Sequence, residues 1–186
     1  MRPKCVIGLD RDGTINKDIW TYCHRVEDFE PIPGSISAIA NLKRNGYKIV
    51  IITDQGGIEK GLYTQVEVDV VHAHLFTLLN EVGCSGIDGI YNSTSTREDD
   101  PFAKPNIGLF KQCEQEIDGV KFAEGFYVGD KMKDLKAAMN IGATPILVRT
   151  GYGLETEEAL NAPEYDELKR YTLIFDTLAE FAARMA

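Results

Sequence analysis

The run CVIGLDRDGTIN, residues 5–16, closes an apolar stretch with two carboxylates, Asp10 and Asp12, followed at once by Gly13 and Thr14. Residues two apart in an extended chain point to the same side, so both carboxylates would be presented together. Such groups at the end of a buried strand are costly unless charged or hydrogen-bonding partners meet them. Side chains able to do so lie far off in sequence but in similar places. They are Thr53-Asp54-Gln55 at the end of YKIVIITD, then Lys104-Pro105, then Gly129-Asp130-Lys131 with Asp134 after GFYV. Each has an ordinary structural reading. Asp10 and Asp12 can cap the turn at Gly13, Lys104 can be a solvated surface lysine, and Asp130 can be a helix N-cap. Asp134 is then a first-turn acid favoured by the helix dipole. All of these at once require four coincidences, whereas a hydroxyl, a lysine and several carboxylates converging on one point would form a site that handles charge.

The elements that must position these residues alternate regularly. Residues 4–10, 47–53, 86–92, 125–130 and 144–150 are short, rich in Val, Ile and Tyr, and nearly continuous in apolar character, as strands covered on both faces should be. Residues 171–176 add a short edge strand. Helical patterns fill the gaps at 34–46, 64–82, 106–118, 131–141 and 177–185, the second opening on Thr64 with Glu67 three residues on, a capping box. This order predicts an α/β fold: a doubly wound, Rossmann-like, mostly parallel sheet with helices on both faces, in one domain over 1–186. Two connections, about 15–33 and 92–105, are too long for turns. Both follow the carboxyl ends of strands, where open α/β sheets bind ligands.

Composition narrows the classes. The 186 residues suffice for one substantial core, and 44% hydrophobic with 26% charged is ordinary for a soluble globular protein. A net charge of −9 and no Lys/Arg run argue against nucleic acid as a partner. No stretch is long enough for a membrane span, and the apolar run near the N-terminus is too short for a signal peptide. The four cysteines are scattered without a CxxC pair, which suits a reducing compartment. The expectation is a cytoplasmic protein.

Taken in order, DRDGTIN (10–16), Thr53, Lys104 and GDKMKD (129–134) resemble the four motifs of the haloacid dehalogenase superfamily of aspartate-nucleophile phosphatases. The resemblance covers residues 5 to about 153. It implies that Asp10 attacks phosphorus to form an aspartyl-phosphate, and that Asp12 protonates the leaving alkoxide and later deprotonates water. Thr53 and Lys104 would hold the phosphoryl oxygens. A carboxylate approaching a phosphate meets repulsion of about 4 kcal/mol per charge pair at about 4 Å and an effective dielectric of about 20. The resemblance implies Mg²⁺ as the cofactor that relieves it, held by Asp10, the backbone carbonyl of Asp12, and Asp130. Asp134 has two readings, support for the site or plain helix surface.

Within the superfamily the chain is most similar to the heptose bisphosphate and histidinol phosphatases, through RDGTIN, EDFEPIPG (27–34), TDQGGI (53–58), KPNIG (104–108), VGDKMKDLKAA (128–138) and VRTGYG (148–153). That group has no separate cap domain. By this resemblance Asp18, Ile19, Trp20, Thr21, Asp54, Gln55, Gly56 and Lys131 would touch a small phosphorylated substrate, heptose 1,7-bisphosphate before others. Histidinol phosphate, a nucleic-acid 3′-phosphate, or a non-catalytic descendant that merely binds phospho-ligands are the alternatives. Three departures bear on substrate. The insert 92–103 has no Cys or His where the group carries zinc ligands, so no zinc is expected; Ala103 stands where an Arg usually precedes the motif lysine; and Asp54 replaces the usual Asn. Cys23-His24 lacks a second half for a zinc site, and His72 and His74 face different ways on one helix.

Overall fold

A computed structural model describes residues 5–95 and 97–185. Its strands are β1 (Val6–Leu9), β2 (Lys48–Asp54), β3 (Gly89–Ser93), β4 (Phe126–Gly129), β5 (Thr144–Val148) and β6 (Leu173–Phe175). They form one sheet in the order β3-β2-β1-β4-β5-β6, with every neighbouring pair parallel. All six fall on the predicted runs; Lys4, first in the first run, lies outside the described residues. The helices are α1 (Ser35–Arg44), α2 (Gln65–Glu81), α3 (Gly108–Glu116), α4 (Met132–Ile141), α5 (Gly153–Ala159), α6 (Asp166–Tyr171) and α7 (Leu178–Arg184).

Both faces of the sheet are covered, which is why its strands read as continuous apolar runs. Ile7, Leu9, Ile49 and Ile51 pack with Ile39 and Leu42 of α1, Val71 and Leu75 of α2, and Phe181 of α7. On the other face Val6, Val50 and Ile52 pack with Phe110 and Cys113 of α3 and Ala137 and Ala138 of α4. Gly8 points to this second face, and a Cβ there would stand 2.6 Å from the Tyr127 ring. A glycine inside a strand often marks such a close approach. Here it lets the Tyr127 ring lie against β1, with its hydroxyl donating to the Ile52 carbonyl at 2.6 Å.

The capping box of α2 forms as expected, with Thr64 Oγ1 accepting from the Glu67 N–H and Glu67 Oε2 from the Thr64 N–H. At α4 the cap position falls on Lys131 rather than Asp130, and the Lys131 N–H donates to Asp134 Oδ2 at 2.9 Å. The sequence patterns do not single out α5 or α6. Both are under two full turns and rich in charged residues, too short to display a period; Leu160 and Leu168 tie this region to Leu135 and Leu147 in a small separate cluster. The connection after β1 returns to its own base, where the Lys17 N–H donates to the Glu30 carbonyl at 2.8 Å and the Ile32 N–H to the Ile15 carbonyl at 2.9 Å. It holds only a short 3₁₀ turn at Val26–Asp28, so no cap domain rises from it.

Candidate active site

Strand order reverses beside β1, and in open α/β sheets the carboxyl ends at such a point form the ligand crevice. β1 delivers Asp10 there, and its N–H donates to the Val128 carbonyl of β4 at 2.8 Å. β2 delivers Thr53 and Asp54, and β4 delivers Asp130. Lys104 enters from the connection after β3, through a cis Lys104–Pro105 bond. Its ammonium is buried and lies 2.9 Å from Asp10 Oδ1, 2.7 Å from Asp134 Oδ1 and 3.0 Å from the Tyr127 hydroxyl.

Burial alone would push Asp10 up, but Lys104, Lys131 and Lys133 together hold its carboxyl below the usual range. Burial would lower Lys104, yet Asp10 and Asp134 outweigh it and hold the ammonium well above its ordinary value. Asp134 is fully buried, which excludes the helix-surface reading; burial raises it, with Lys104 opposing and Asp10 adding. Asp130 is raised as well. Burial, with Asp134 and Asp10 nearby and Lys131 opposing, pushes it up to about 8.

That rise has a specific setting. Asp10, Asp130 and Asp134 each offer an oxygen within 4.8 Å of the others, and Asp130 Oδ1 is buried without a hydrogen-bond partner. The other oxygen accepts from the Tyr152 N–H at 2.8 Å, and the Asp130 carbonyl accepts from Thr156 Oγ1 at 2.7 Å. Glycines make the space. A Cβ on Gly13 or on Gly151 would stand 2.2 Å from Asp130 Oδ2, and both residues have positive φ. Thr150 Oγ1 closes the cradle by donating to the Gly13 carbonyl at 2.6 Å. An all-oxygen donor set with an unpartnered buried carboxylate oxygen fits a hard divalent cation such as Mg²⁺.

A cavity of about 740 Å³ opens over these groups. Of the residues expected to touch substrate, Asp18, Ile19, Thr21, Asp54, Gln55, Gly56 and Lys131 line it, as do Asp12 and Lys104. Asp10, Thr53 and Asp130 lie buried beneath. Trp20 is not in the wall. It is 62% exposed, has φ 64°, and sets its ring edge-on to Tyr152 at 4.5 Å. Lys131 lies 2.9 Å from Asp18 and 4.7 Å above the Tyr152 ring, and Lys133 lies 2.6 Å from Asp54. Ala103 is in the wall, buried.

The profile of the polynucleotide kinase 3 phosphatase family matches residues 6–143. This chain belongs to that family. The D-glycero-β-D-manno-heptose-1,7-bisphosphate 7-phosphatase of Pseudomonas putida is 36% identical over 181 residues, 95% of this chain and 97% of its own. The Pseudomonas aeruginosa enzyme of the same name is 37% identical, covering 95% of each chain. Among solved structures, D,D-heptose 1,7-bisphosphate phosphatase from B. bronchiseptica, complexed with magnesium and phosphate, superposes with a TM-score of 0.87 at 30% identity, over 98% of this chain and 97% of that one. The protein is therefore a phosphatase with the haloacid dehalogenase-like fold, and the alternative of a non-catalytic descendant falls away.

Sequence reasoning missed three residues of this family member's site. Arg11 is fully buried and forks onto Asp12; Asn16 Nδ2 donates to Asp12 Oδ1 at 2.9 Å; and Tyr127 reaches Lys104. The strand glycine, Gly8, was the available signal for Tyr127. Nothing in the local sequence marks Arg11 as buried, because an arginine beside two aspartates reads as solvated. Cys23 is in the core, and His24 stacks on Tyr63 at 5.0 Å. Among the described residues no helix is long and apolar enough to cross a membrane.

Proposed function

We propose that this phosphatase is an Mg²⁺-dependent phosphomonoester hydrolase that works through an aspartyl-phosphate on Asp10, with a sugar bisphosphate as substrate. The observation that carries the chemistry is the buried Asp10–Lys104–Asp134 array beside the orphaned Asp130 oxygen, beneath an open cavity. A carboxylate oxygen of Asp10 attacks phosphorus, the ester P–O bond breaks, and Asp12 gives its proton to the departing sugar oxygen. Asp12 then takes a proton from water as the water oxygen attacks phosphorus, the Asp10–phosphorus bond breaks, and inorganic phosphate leaves. Thr53 and the Lys104 ammonium stabilise the phosphoryl oxygens. Asp10, the Asp12 carbonyl and Asp130 would hold Mg²⁺, which when bound supplies positive charge against the repulsion between carboxylate and phosphate. Asp134 keeps Lys104 in place.

The substrate reading rests on the relatives' names and on a cavity open enough for a bulky sugar. Heptose 1,7-bisphosphate is the first candidate, with Asp18, Ile19, Thr21, Gln55, Gly56 and Lys131 in contact and Trp20 at the rim. The family profile itself points to a 3′-phosphorylated nucleic acid, but a net charge of −9 opposes a polyanion. The test is kcat/KM across heptose and hexose phosphates and bisphosphates, histidinol phosphate and 3′-phosphorylated oligonucleotides. Asp10→Asn serves as the control that should abolish turnover while leaving the fold. An oligonucleotide or histidinol phosphate ahead of every sugar by about tenfold, roughly 1.4 kcal/mol of transition-state preference, would overturn the substrate reading. Activity surviving in Asp10→Asn would overturn the mechanism.

A further inference from the structure

Asp12 carries more hydrogen-bond donors than any other carboxylate of the site among the described residues. Its Oδ1 accepts from Arg11 Nε at 3.2 Å, Arg11 Nη2 at 3.0 Å and Asn16 Nδ2 at 2.9 Å; its Oδ2 accepts from Arg11 Nη2 at 2.9 Å and Gln55 Nε2 at 3.0 Å. Neither oxygen can turn without losing a partner. We infer that Arg11 and a Tyr63–Gln55 pair are a positioning device that fixes Asp12 for proton transfer. The inference rests on the acid–base reading of Asp12 given above.

Arg11 would be a substrate clamp if it could reach the cavity, but it cannot. The side chain is fully buried, Nη2 also donates to the Cys23 carbonyl at 2.7 Å, and Nη1 lies 3.4 Å from His72 Nε2. A guanidinium only donates, so His72 Nε2 must offer a lone pair and the imidazole must be neutral. Burial, reinforced by Arg11, pushes His72 down to about 4, consistent with that assignment. The cation is thus fixed from three directions: its own turn, the returning connection after β1, and the inner face of α2.

Gln55 is fixed in turn. Its Oε1 accepts from the Tyr63 hydroxyl at 3.0 Å, which leaves the amide nitrogen for Asp12 and for Thr53 Oγ1 at 3.1 Å. Tyr63 is buried and stacked by His24, and it occupies the space a side chain at residue 57 would need. A Cβ on Gly57 would stand 2.1 Å from Tyr63 Cε1. The second glycine of TDQGG therefore makes room for the ring that orients Gln55, which orients Asp12.

A positioning role separates from a structural one by the leaving group. A sugar alkoxide needs the proton from Asp12 to depart, whereas p-nitrophenolate does not. The variants are Tyr63→Phe, which keeps the ring, and Arg11→Lys, which keeps the charge and loses the fork. In single turnovers with Mg²⁺, release of sugar from its phosphate should fall about fivefold in Tyr63→Phe, as expected for one neutral hydrogen bond. In Arg11→Lys it should fall on the order of a hundredfold. The burst of p-nitrophenol from p-nitrophenyl phosphate should change less than about twofold in Tyr63→Phe, since it draws on no acid. Equal losses on both substrates, or no loss on either, would overturn the inference while leaving the acid–base reading standing. Undiminished sugar release in Asp12→Asn would overturn that reading, and this inference with it.

Discussion

Without divalent metal, the protein should lose stability as pH rises through neutrality. Asp130 drives this, with a folded value near 8 against an ordinary carboxyl near 3.8. Between those values the folded state keeps a proton that the unfolded state has released. Stability then falls by up to about 1.4 kcal/mol per pH unit. His72 acts in the opposite direction below 6.5, because it is held neutral down to about 4 and must gain a proton on unfolding. The two slopes roughly cancel from pH 4 to 6.5, which leaves Asp130 unopposed from 6.5 to 8. Asp134 is also raised and adds in the same sense, while Asp10 is lowered and acts only below the ordinary carboxyl range. The loss from Asp130 alone over the last interval is about 2 kcal/mol. Urea unfolding in chelator at half-unit pH steps measures it directly. Asp130→Asn should flatten the falling limb, and saturating Mg²⁺ should remove it. A curve in chelator that is level or rising from 6.5 to 8 would refute the placement of Asp130 as a buried carboxyl with one unpartnered oxygen.

Three further outcomes are expected. Gly151→Ala places a Cβ 2.2 Å from Asp130 Oδ2 at a backbone φ of 59°, so Mg²⁺ affinity by calorimetry should drop about tenfold or more, whereas unchanged affinity would remove Asp130 from the metal site. Asp54→Asn frees Lys133 from its 2.6 Å ion pair and should lower KM for a phosphomonoester with kcat retained; a large fall in kcat would make Asp54 part of the chemistry instead. Zinc should be absent from the purified protein and a zinc-selective chelator should leave its melting unchanged, because the 92–103 insert offers no thiol or imidazole. Its described residues are tied by Arg97 to Asp99 and by Asn106 to the carbonyls of Glu98 and Asp100; about one tightly bound zinc per chain by elemental analysis would contradict this.

The strands were legible because both faces of the sheet are buried, so each strand is an unbroken apolar word ending in a polar one. α2 was legible because it is long and carries its own capping box. α5 and α6 were not, since each is under two turns and buries too few apolar side chains to display a periodic face. Within the site, the residues visible in sequence were those at strand ends. Those that escaped act across the fold. Arg11 owes its burial to α2 and to the connection after β1, and Tyr127 its reach to a missing side chain on a neighbouring strand. Asp134 could be assigned only once Lys104, thirty positions earlier, was seen beside it.

The family profile ends at residue 143, yet Asp130 is enclosed by Tyr152 and Thr156, and Gly13 by Thr150. The shared segment therefore carries every group to which the proposal gives a chemical role, without carrying a finished site. During synthesis on the ribosome the first motif would emerge early and stay open, with nothing to seal the acidic cradle until the chain had grown past Thr156. Any minimal catalytic fragment must extend at least that far. A boundary drawn from sequence similarity alone would remove β5, β6 and α7 from the sheet and its core, and with them the residues that enclose Asp130.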